Sequence, residues 1–170
     1  LLLEEQDSVA DSLGDHDADL LMSRIATSAR TIAYLSDEIW RHIESDSNDQ
    51  LSLDVAVAGL DVIDNEIVVV GDPSADPLLV LHAAVQSMHS GLPIARRSLM
   101  LLAERQTALP DPWPQGARDL FVDLLGGGSR SIPVIESLDY FEVWTHLLPE
   151  WAPNRSRPQR NVYHRFTVDR

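Results

Sequence analysis

Two residue types are missing from this chain of 170 residues, and each absence removes a class of chemistry. Without cysteine, the segment can form neither disulfide bridges nor cysteine-ligated metal sites, which fits a reducing compartment. Without lysine, all 13 basic residues are arginine. Schiff-base catalysis and the lysine of a phosphate-binding P-loop are therefore excluded within the segment. No apolar run approaches the roughly 20 residues that a membrane-spanning helix needs.

Positive charge is also scarce, since 27 acidic residues against 13 basic ones give a net charge of −14. Such an excess repels a phosphate backbone, so we expect no binding to nucleic acid. The apolar fraction of 44% is that of an ordinary globular protein. The chain starts at Leu1 rather than at methionine, and we interpret its first leucines as the interior of a helix, not as a signal peptide.

Apolar residues at helical spacing dominate the first 45 residues. Residues 1–13 predict the end of a helix closed by Gly14. A long amphipathic helix is predicted after the acidic stretch 15–19, ending near Ser45, because its apolar residues alternate at spacings of four and three. This stripe consists of Leu21, Ile25, Ser28, Ile32, Leu35, Ile39 and His42, widened by Ala26, Ala29, Ala33 and Trp40.

A change of period after residue 50 predicts the one β element. Residues 55–62 and 67–70 are rich in β-branched side chains, and Asp64-Asn65 between them is typical of a hairpin turn. Asp76-Pro77 then indicates the start of a helix that ends at Gly91.

Further short helices are predicted beyond Gly91, with a stiff proline-rich linker at 109–114. They begin at Pro93 and cover 115–125, 131–138 and 141–148. The predicted fold class is therefore mainly α, a bundle-like helical segment with one small β-hairpin.

Three groups of residues resemble reactive sites but have simpler structural interpretations. Asp15-His16-Asp17, followed by Asp19, offers hard metal ligands, yet acidic residues at a helix start ordinarily cap the first turn. The stretch 126–130, Gly-Gly-Gly-Ser-Arg, suggests a phosphate cradle, but no strand precedes it and the P-loop lysine is missing. We interpret it as a helix end followed by a helix that starts at a serine.

The histidines are widely scattered. His82 and His89 share one predicted helix, about 10 Å apart along its axis, too far for both to reach one ion at about 2 Å. His42 and His146 are isolated. We interpret all four as structural or surface histidines.

The most specific pattern lies in the last 24 residues. It begins with 147–151, Leu-Leu-Pro-Glu-Trp, and ends with 161–170, Asn-Val-Tyr-His-Arg-Phe-Thr-Val-Asp-Arg. This resembles the approach to the HD phosphohydrolase domain of the bifunctional uridylyltransferase/uridylyl-removing enzymes that modify the PII protein. In that family a Leu-Pro-Glu turn precedes Tyr-His-x-Tyr-Thr-Val-Asp-x-His, whose final histidine is the first metal ligand. Phe166 replaces the usual tyrosine, and Arg170 replaces a commonly acidic residue.

Other parts of the chain resemble actinobacterial-type members of the family in the same order: residues 59–67, 76–84, 91–94 and 113–115. The resemblance implies a segment between two active sites. Residues 1–50 would be a helical region after the nucleotidyltransferase domain, 51–75 the hairpin, 76–150 a helical linker and 151–170 the entry to the HD domain.

The resemblance also implies what the whole enzyme does. It would transfer UMP or AMP from UTP or ATP to a tyrosine of PII in nitrogen regulation, using Mg²⁺, in the cytoplasm, and its HD domain would remove the group by hydrolysis. The catalytic carboxylates are expected before Leu1 and the HD ligands after Arg170. The segment itself is then expected to be inactive and to hold no catalytic, cofactor-binding or metal-binding residue.

Within the tail, Tyr163, His164 and Asp169 are the candidates for a structural or metal-supporting role at the HD entry. The tail is expected to lack a partner in this chain, so residues from about Asn154 onward are predicted to be mobile.

Two other interpretations stay open. One is a non-enzymatic helical interaction module, which would bind an acidic or helical partner through the five arginines of 155–170 and the long helix. The other is a metal hydrolase that uses His16, Asp17 and His164.

Overall fold

The computed structural model describes residues 5–45, 57–159 and 167–169. The structure is 64% helical, and its described residues form seven α-helices, two short 3-10 helices and one two-stranded antiparallel sheet. The predicted mainly α fold with one hairpin is therefore confirmed. The chain divides into two compact units, Leu1–Trp40 with Glu150–Arg170, and Arg41–Pro149. No helix in the described part is both long and apolar enough to span a membrane.

The first unit is built on two successive helices, α1 (Gln6–Leu13) and α2 (Ala18–Ser45). Gly14 ends α1 in the left-handed conformation, with φ 76°, and its amide donates to the carbonyl of Asp11 at 3.2 Å. Asp17 caps α2, since its Oδ1 accepts the amide of Leu20 at 2.7 Å. The capping interpretation of the acidic stretch is thus confirmed for Asp17. A 3-10 helix (Pro149–Asn154) begins the C-terminal part.

The hairpin lies in the second unit and consists of β1 (Leu60–Ile63) and β2 (Glu66–Val69). The strands pair in register from Leu60 with Val69 to Ile63 with Glu66. Both turn residues have positive φ, 54° for Asp64 and 59° for Asn65, as a two-residue type I′ turn requires. Asp and Asn adopt this conformation more readily than most residues, so the turn follows directly from the sequence.

The segment after Gly91 differs from the prediction that Pro93 begins a helix. The carbonyl of Pro93 accepts the amide of Ile67 at 2.8 Å, and the amide of Ala95 donates to the carbonyl of Ile67 at 2.9 Å. These bonds form a single parallel bridge between Ile67 and Ile94. They hold the segment extended along the free edge of β2, and the helix therefore begins only at Arg96.

Helices cover the hairpin and complete the second unit. A buried hydroxyl links the two layers, since Ser98 accepts the amide of Val69 at 2.9 Å. The core between the elements is aliphatic, with Leu81, Leu102, Leu124 and Leu138 fully buried. The helices are α3 (Leu79–Ser90), α4 (Arg96–Arg105), α5 (Gln115–Gly126), a 3-10 helix (Gly128–Arg130), α6 (Ser131–Tyr140) and α7 (Val143–Leu147).

The amphipathic stripe of α2 has an unexpected environment. Leu21 is buried, with 4% of its surface exposed, but Ile32 and Ile39 are 65% and 59% exposed. On the other side of the helix, Arg30 is only 8% exposed. The helix is therefore amphipathic as predicted, yet most of its apolar face has no cover among the described residues.

Candidate functional site at the C-terminal segment

The C-terminal segment is fastened to α2 by an ion pair inside the first unit. The guanidinium Nη2 of Arg30 contacts the Oδ2 of Asp169. The exposed fractions of the two side chains are 10% and 1%, so the pair is buried. The two residues are 139 positions apart in the chain. This contact joins the middle of the long helix to the end of the sequence.

Further hydrogen bonds surround the carboxylate of Asp169. The amide of Ser156 donates to the same Oδ2 at 2.9 Å. Ser156 has a φ of 55° and lies in the left-handed region, where a non-glycine residue is uncommon. One turn of α2 away from Arg30, the hydroxyl of Thr27 donates to the Oγ of Ser156 at 3.1 Å. The amide of Val168 donates to the carbonyl of Arg157 at 2.9 Å and aligns the two stretches of the tail.

These contacts set the protonation state of Asp169. Burial alone raises the pKa of its carboxyl group, because an apolar environment disfavours the charged form. Hydrogen bonds from the side chain of Thr167 and the amide of Ser156, together with Arg30, outweigh burial. The net result is a pKa below the usual value of an aspartate. Asp169 is therefore an anion at neutral pH.

An arrangement of this kind positions the backbone rather than performing chemistry. The carboxylate of Asp169 is ionised, it is engaged by Arg30 and the amide of Ser156, and it lies away from solvent. Its lowered pKa makes it a weak proton acceptor and its burial keeps it from a substrate, so it does not suit a general base. The contact instead fixes where the last described residues leave α2.

Two of the three tail candidates, Tyr163 and His164, lie outside the described residues. Asp169 is placed by the contacts above, and its role at the entry to an HD domain stays a prediction. The expectation of an unpartnered tail differs from the structure at 155–159 and 167–169. Asp169 and Ser156 are held on α2, because the tail finds its partner in a charged residue of that helix rather than in an apolar surface.

The acidic stretch at 15–19 does not assemble a reactive site. Asp17 caps α2, and Asp15 pairs with Arg24, whose side chain is 65% exposed. In the described residues, no group of three or more histidine, cysteine, aspartate or glutamate side chains could hold a metal ion. His16 is exposed. A hydrolase site of His16, Asp17 and His164 thus gains no support from the part that the structure places.

The other candidate residues have ordinary surroundings. His89 contacts Asp123 at 2.9 Å, with both side chains about half exposed, and so links α3 to α5 on the surface. His82 is half-buried on α3, and His146 is exposed on α7. The side chain of His42 lies outside the described residues. The glycine stretch at 126–128 ends α5 and leads into the 3-10 helix, as its structural interpretation predicts.

Sequence reasoning missed Arg30 and Ser156. Arg30 lies on the side of α2 away from the large apolar residues. A charged residue in that position is usually solvated, so its place in the sequence did not indicate burial. Nothing in the sequence distinguishes Ser156, because its role depends on a backbone conformation and on an amide.

The fold and these contacts define a helical segment whose C-terminal stretch is held on its long helix α2. Comparison with known proteins identifies it further. Over its whole length the chain is 36% identical to the bifunctional uridylyltransferase/uridylyl-removing enzyme of Streptomyces coelicolor, but it covers 23% of that protein. It is 46% identical over 107 residues to the Mycobacterium tuberculosis enzyme of that name, 62% of this chain and 13% of the relative.

A third relative supports the same assignment. The Corynebacterium glutamicum enzyme of the same name is 32% identical over 94 residues, 55% of this chain and 13% of the relative. No family model matches the chain, and no solved structure matches it significantly. The chain therefore belongs to the bifunctional uridylyltransferase/uridylyl-removing enzyme family and spans less than a quarter of the curated relatives that it matches.

Proposed function

We propose that this chain is a non-catalytic structural segment of a longer bifunctional uridylyltransferase/uridylyl-removing enzyme, which we call the full-length enzyme. The observation that carries the proposal is the match to the Streptomyces enzyme along the entire chain. The buried contact between Arg30 and Asp169 supports it, because it positions the end of the segment without assembling reactive groups.

For the full-length enzyme we propose the two activities that the relatives' names state, uridylyl transfer and uridylyl removal. The resemblance of the tail to the approach to an HD domain suggests the details. The full-length enzyme transfers UMP from UTP, or AMP from ATP, to a tyrosine of the PII signalling protein in nitrogen regulation, and it removes the group by hydrolysis. The enzyme works in the cytoplasm. The transfer would use Mg²⁺ to neutralise the phosphate charge, and the HD domain would use a metal to activate the water for removal. The residues that hold these metals would lie outside this chain.

The segment's part in this reaction is mechanical. Its tail pattern resembles the residues that lead into the HD domain, and the ion pair to Arg30 holds the described end of that tail on α2. A positioning role of this kind needs a fixed backbone, which the hydrogen bond from the amide of Ser156 to Asp169 supports. It also needs no change of charge near neutral pH, and the lowered pKa of Asp169 is consistent with that.

A non-enzymatic interaction module remains the alternative, but the match along the whole chain is to enzymes. A metal hydrolase built from His16, Asp17 and His164 is disfavoured because Asp17 is engaged in capping α2.

The test compares the purified 170-residue chain with the full-length enzyme. Each is incubated with PII, Mg²⁺ and either UTP or ATP, and separately with modified PII. The full-length enzyme should modify PII with one of the two nucleotides and strip it again, while the chain alone should do neither. Turnover by the chain alone, abolished by a point substitution within it, would overturn the proposal. So would a full-length protein that is folded but inactive with both nucleotides.

A further inference from the structure

Among the described residues, the long helix α2 carries a wide apolar face that is open to solvent. Five of its large apolar residues have exposed fractions of 39% to 65%, whereas Leu21 near the start of the helix is buried. Contiguous exposed apolar residues of this kind usually mark an interaction surface. We call it the open face of α2, and it consists of Ile25, Ile32, Leu35, Ile39 and Trp40.

The width of this face indicates how it is covered. Leu35 and Trp40 are five residues apart, so they lie about 140° apart around the helix axis. The three isoleucines lie between these two limits. A seam between two helices of a coiled coil is narrower, whereas a face this wide is typical of a helix that packs into a larger assembly.

A shallow groove lies beside the N-terminal part of the face, with a volume of about 490 Å³. It includes the small residues Ser28 and Ala29 between Ile25 and Ile32. The ion pair of Asp15 and Arg24 lines its other end. Small residues between large ones let the ridge of another helix approach closely.

We propose that the open face of α2 is an internal interface of the full-length enzyme, covered there by a helical part of the same polypeptide that lies outside this chain. The inference rests on the proposed function, since the chain spans 23% of the Streptomyces relative and the full-length enzyme supplies many more elements. Its helices present apolar side chains to Ile32 and Ile39 and extend over Trp40, as the width of the face requires.

A second copy of the chain is a poorer occupant. Each copy carries a net charge of −14, so two copies repel each other. A two-helix seam centred on Ile32 and Ile39 also leaves Trp40 at its margin.

The test is made on the wild-type full-length enzyme, so that no variant needs to fold. Oxidative footprinting measures the modification rate of Trp40 in the native protein and in the same protein unfolded in urea. A covered Trp40 should react at least ten-fold more slowly in the native state. A native rate within about two-fold of the unfolded rate, as the 62% exposure of Trp40 in this structure would give, overturns the inference.

Substitutions then locate the interface. Ile32→Gln with Ile39→Gln should raise hydrogen exchange of residues 25–40 at least ten-fold in the full-length enzyme. The control Asp37→Gln, an exposed position on the same helix, should leave it unchanged. Unchanged exchange in the double variant also overturns the inference.

Two further measurements separate the alternatives. If the protection of Trp40 disappears on dilution as a dimer dissociates, the occupant is a second copy and the inference is wrong. Activity of the same preparation is assayed in parallel. An active enzyme with an accessible Trp40 defeats this inference alone, whereas a covered Trp40 in a protein inactive with both nucleotides defeats the proposed function alone.

Discussion

Arg30 occupies a position where a positive charge is costly unless it is paired, since only 10% of its side chain is exposed. Asp169 supplies the opposite charge, and the amide of Ser156 adds a second donor to the same carboxylate oxygen. Replacing either partner leaves the other charge buried. The energetic effect of truncation should therefore exceed the small net value of the pair itself.

Arg30→Ala should destabilise the chain by about 3–5 kcal/mol, because it leaves the carboxylate of Asp169 buried without its cation. Arg97→Ala, which removes an exposed arginine of α4, is the control. A substitution on the solvated surface changes stability little, so its expected cost is about 0.5 kcal/mol or less. Urea denaturation followed by circular dichroism measures both. Equal losses for the two variants would contradict a special role for Arg30.

The lowered pKa of Asp169 predicts a specific response to acid. A carboxylate whose pKa is lower in the folded than in the unfolded chain stabilises the fold above the unfolded pKa, about 3.9. This contribution is complete above about pH 5 and is lost as the pH falls through the folded pKa. The stability difference between the wild type and Asp169→Asn should therefore be largest near neutral pH and shrink below pH 4.

Urea midpoints at pH 7, 5, 4 and 3 measure this difference. The exposed Asp37→Asn variant controls for general acid effects, and its difference from the wild type should stay small throughout. A gap between the wild type and Asp169→Asn that is the same at pH 7 and pH 3 would show that the carboxylate is not stabilised in its ionised form.

At the scale of secondary structure, local chemistry predicted much of the fold. The hairpin followed from the β-branched strands and from Asp64-Asn65, because a type I′ turn needs two residues that tolerate positive φ. The ends of α1 and α3 followed from Gly14 and Gly91 for the same conformational reason. The start of α4 was wrong, because the extended segment at Pro93 depends on a hydrogen bond to Ile67, which no local pattern encodes.

The junction of α5 with α6 offers a prediction with an adjacent control. A Cβ on Gly127 would lie 2.5 Å from both the sulfur of Met88 and the hydroxyl of Ser131. Met88 is fully buried, so it has little room to move, and Gly127→Ala should cost about 1–3 kcal/mol. A Cβ on Gly126, at the end of α5, meets nothing within 4 Å.

Gly126→Ala should therefore be neutral or stabilise the chain by up to about 1 kcal/mol, since alanine restricts the unfolded state and favours helix. Thermal unfolding of the two single variants gives both values. If the Gly127→Ala variant is as stable as the Gly126→Ala variant, Met88 of α3 does not pack tightly against this junction.

At the scale of the whole molecule, the sequence predicted the family and the class of fold but not the contact that organises the first unit. Arg30 and Asp169 are 139 residues apart, and neither charge carries a local signal for the other. The tail pattern drew attention to Asp169 through its resemblance to the HD entry, while its partner needed the three-dimensional structure. The open face of α2 was predicted as an apolar stripe, but its exposure depends on which neighbours are present.

Loss of the contact between Arg30 and Asp169 should affect the two proposed activities of the full-length enzyme to different degrees. The tail resembles the approach to the HD domain, so loosening its attachment to α2 should disturb the removal site first. Arg30→Ala should lower uridylyl removal by about ten-fold, in the range seen when a group supporting a metal site is lost. Transfer to PII should fall by less than about two-fold.

His164→Ala should also lower the ratio of the removal rate to the transfer rate, and Arg24→Ala should leave that ratio unchanged. Both rates are measured on one preparation, with thermal unfolding to correct for the folded fraction. Loss of removal and transfer in equal proportion would mean that Arg30 supports only the general stability of the protein, and the proposed positioning role would then be wrong.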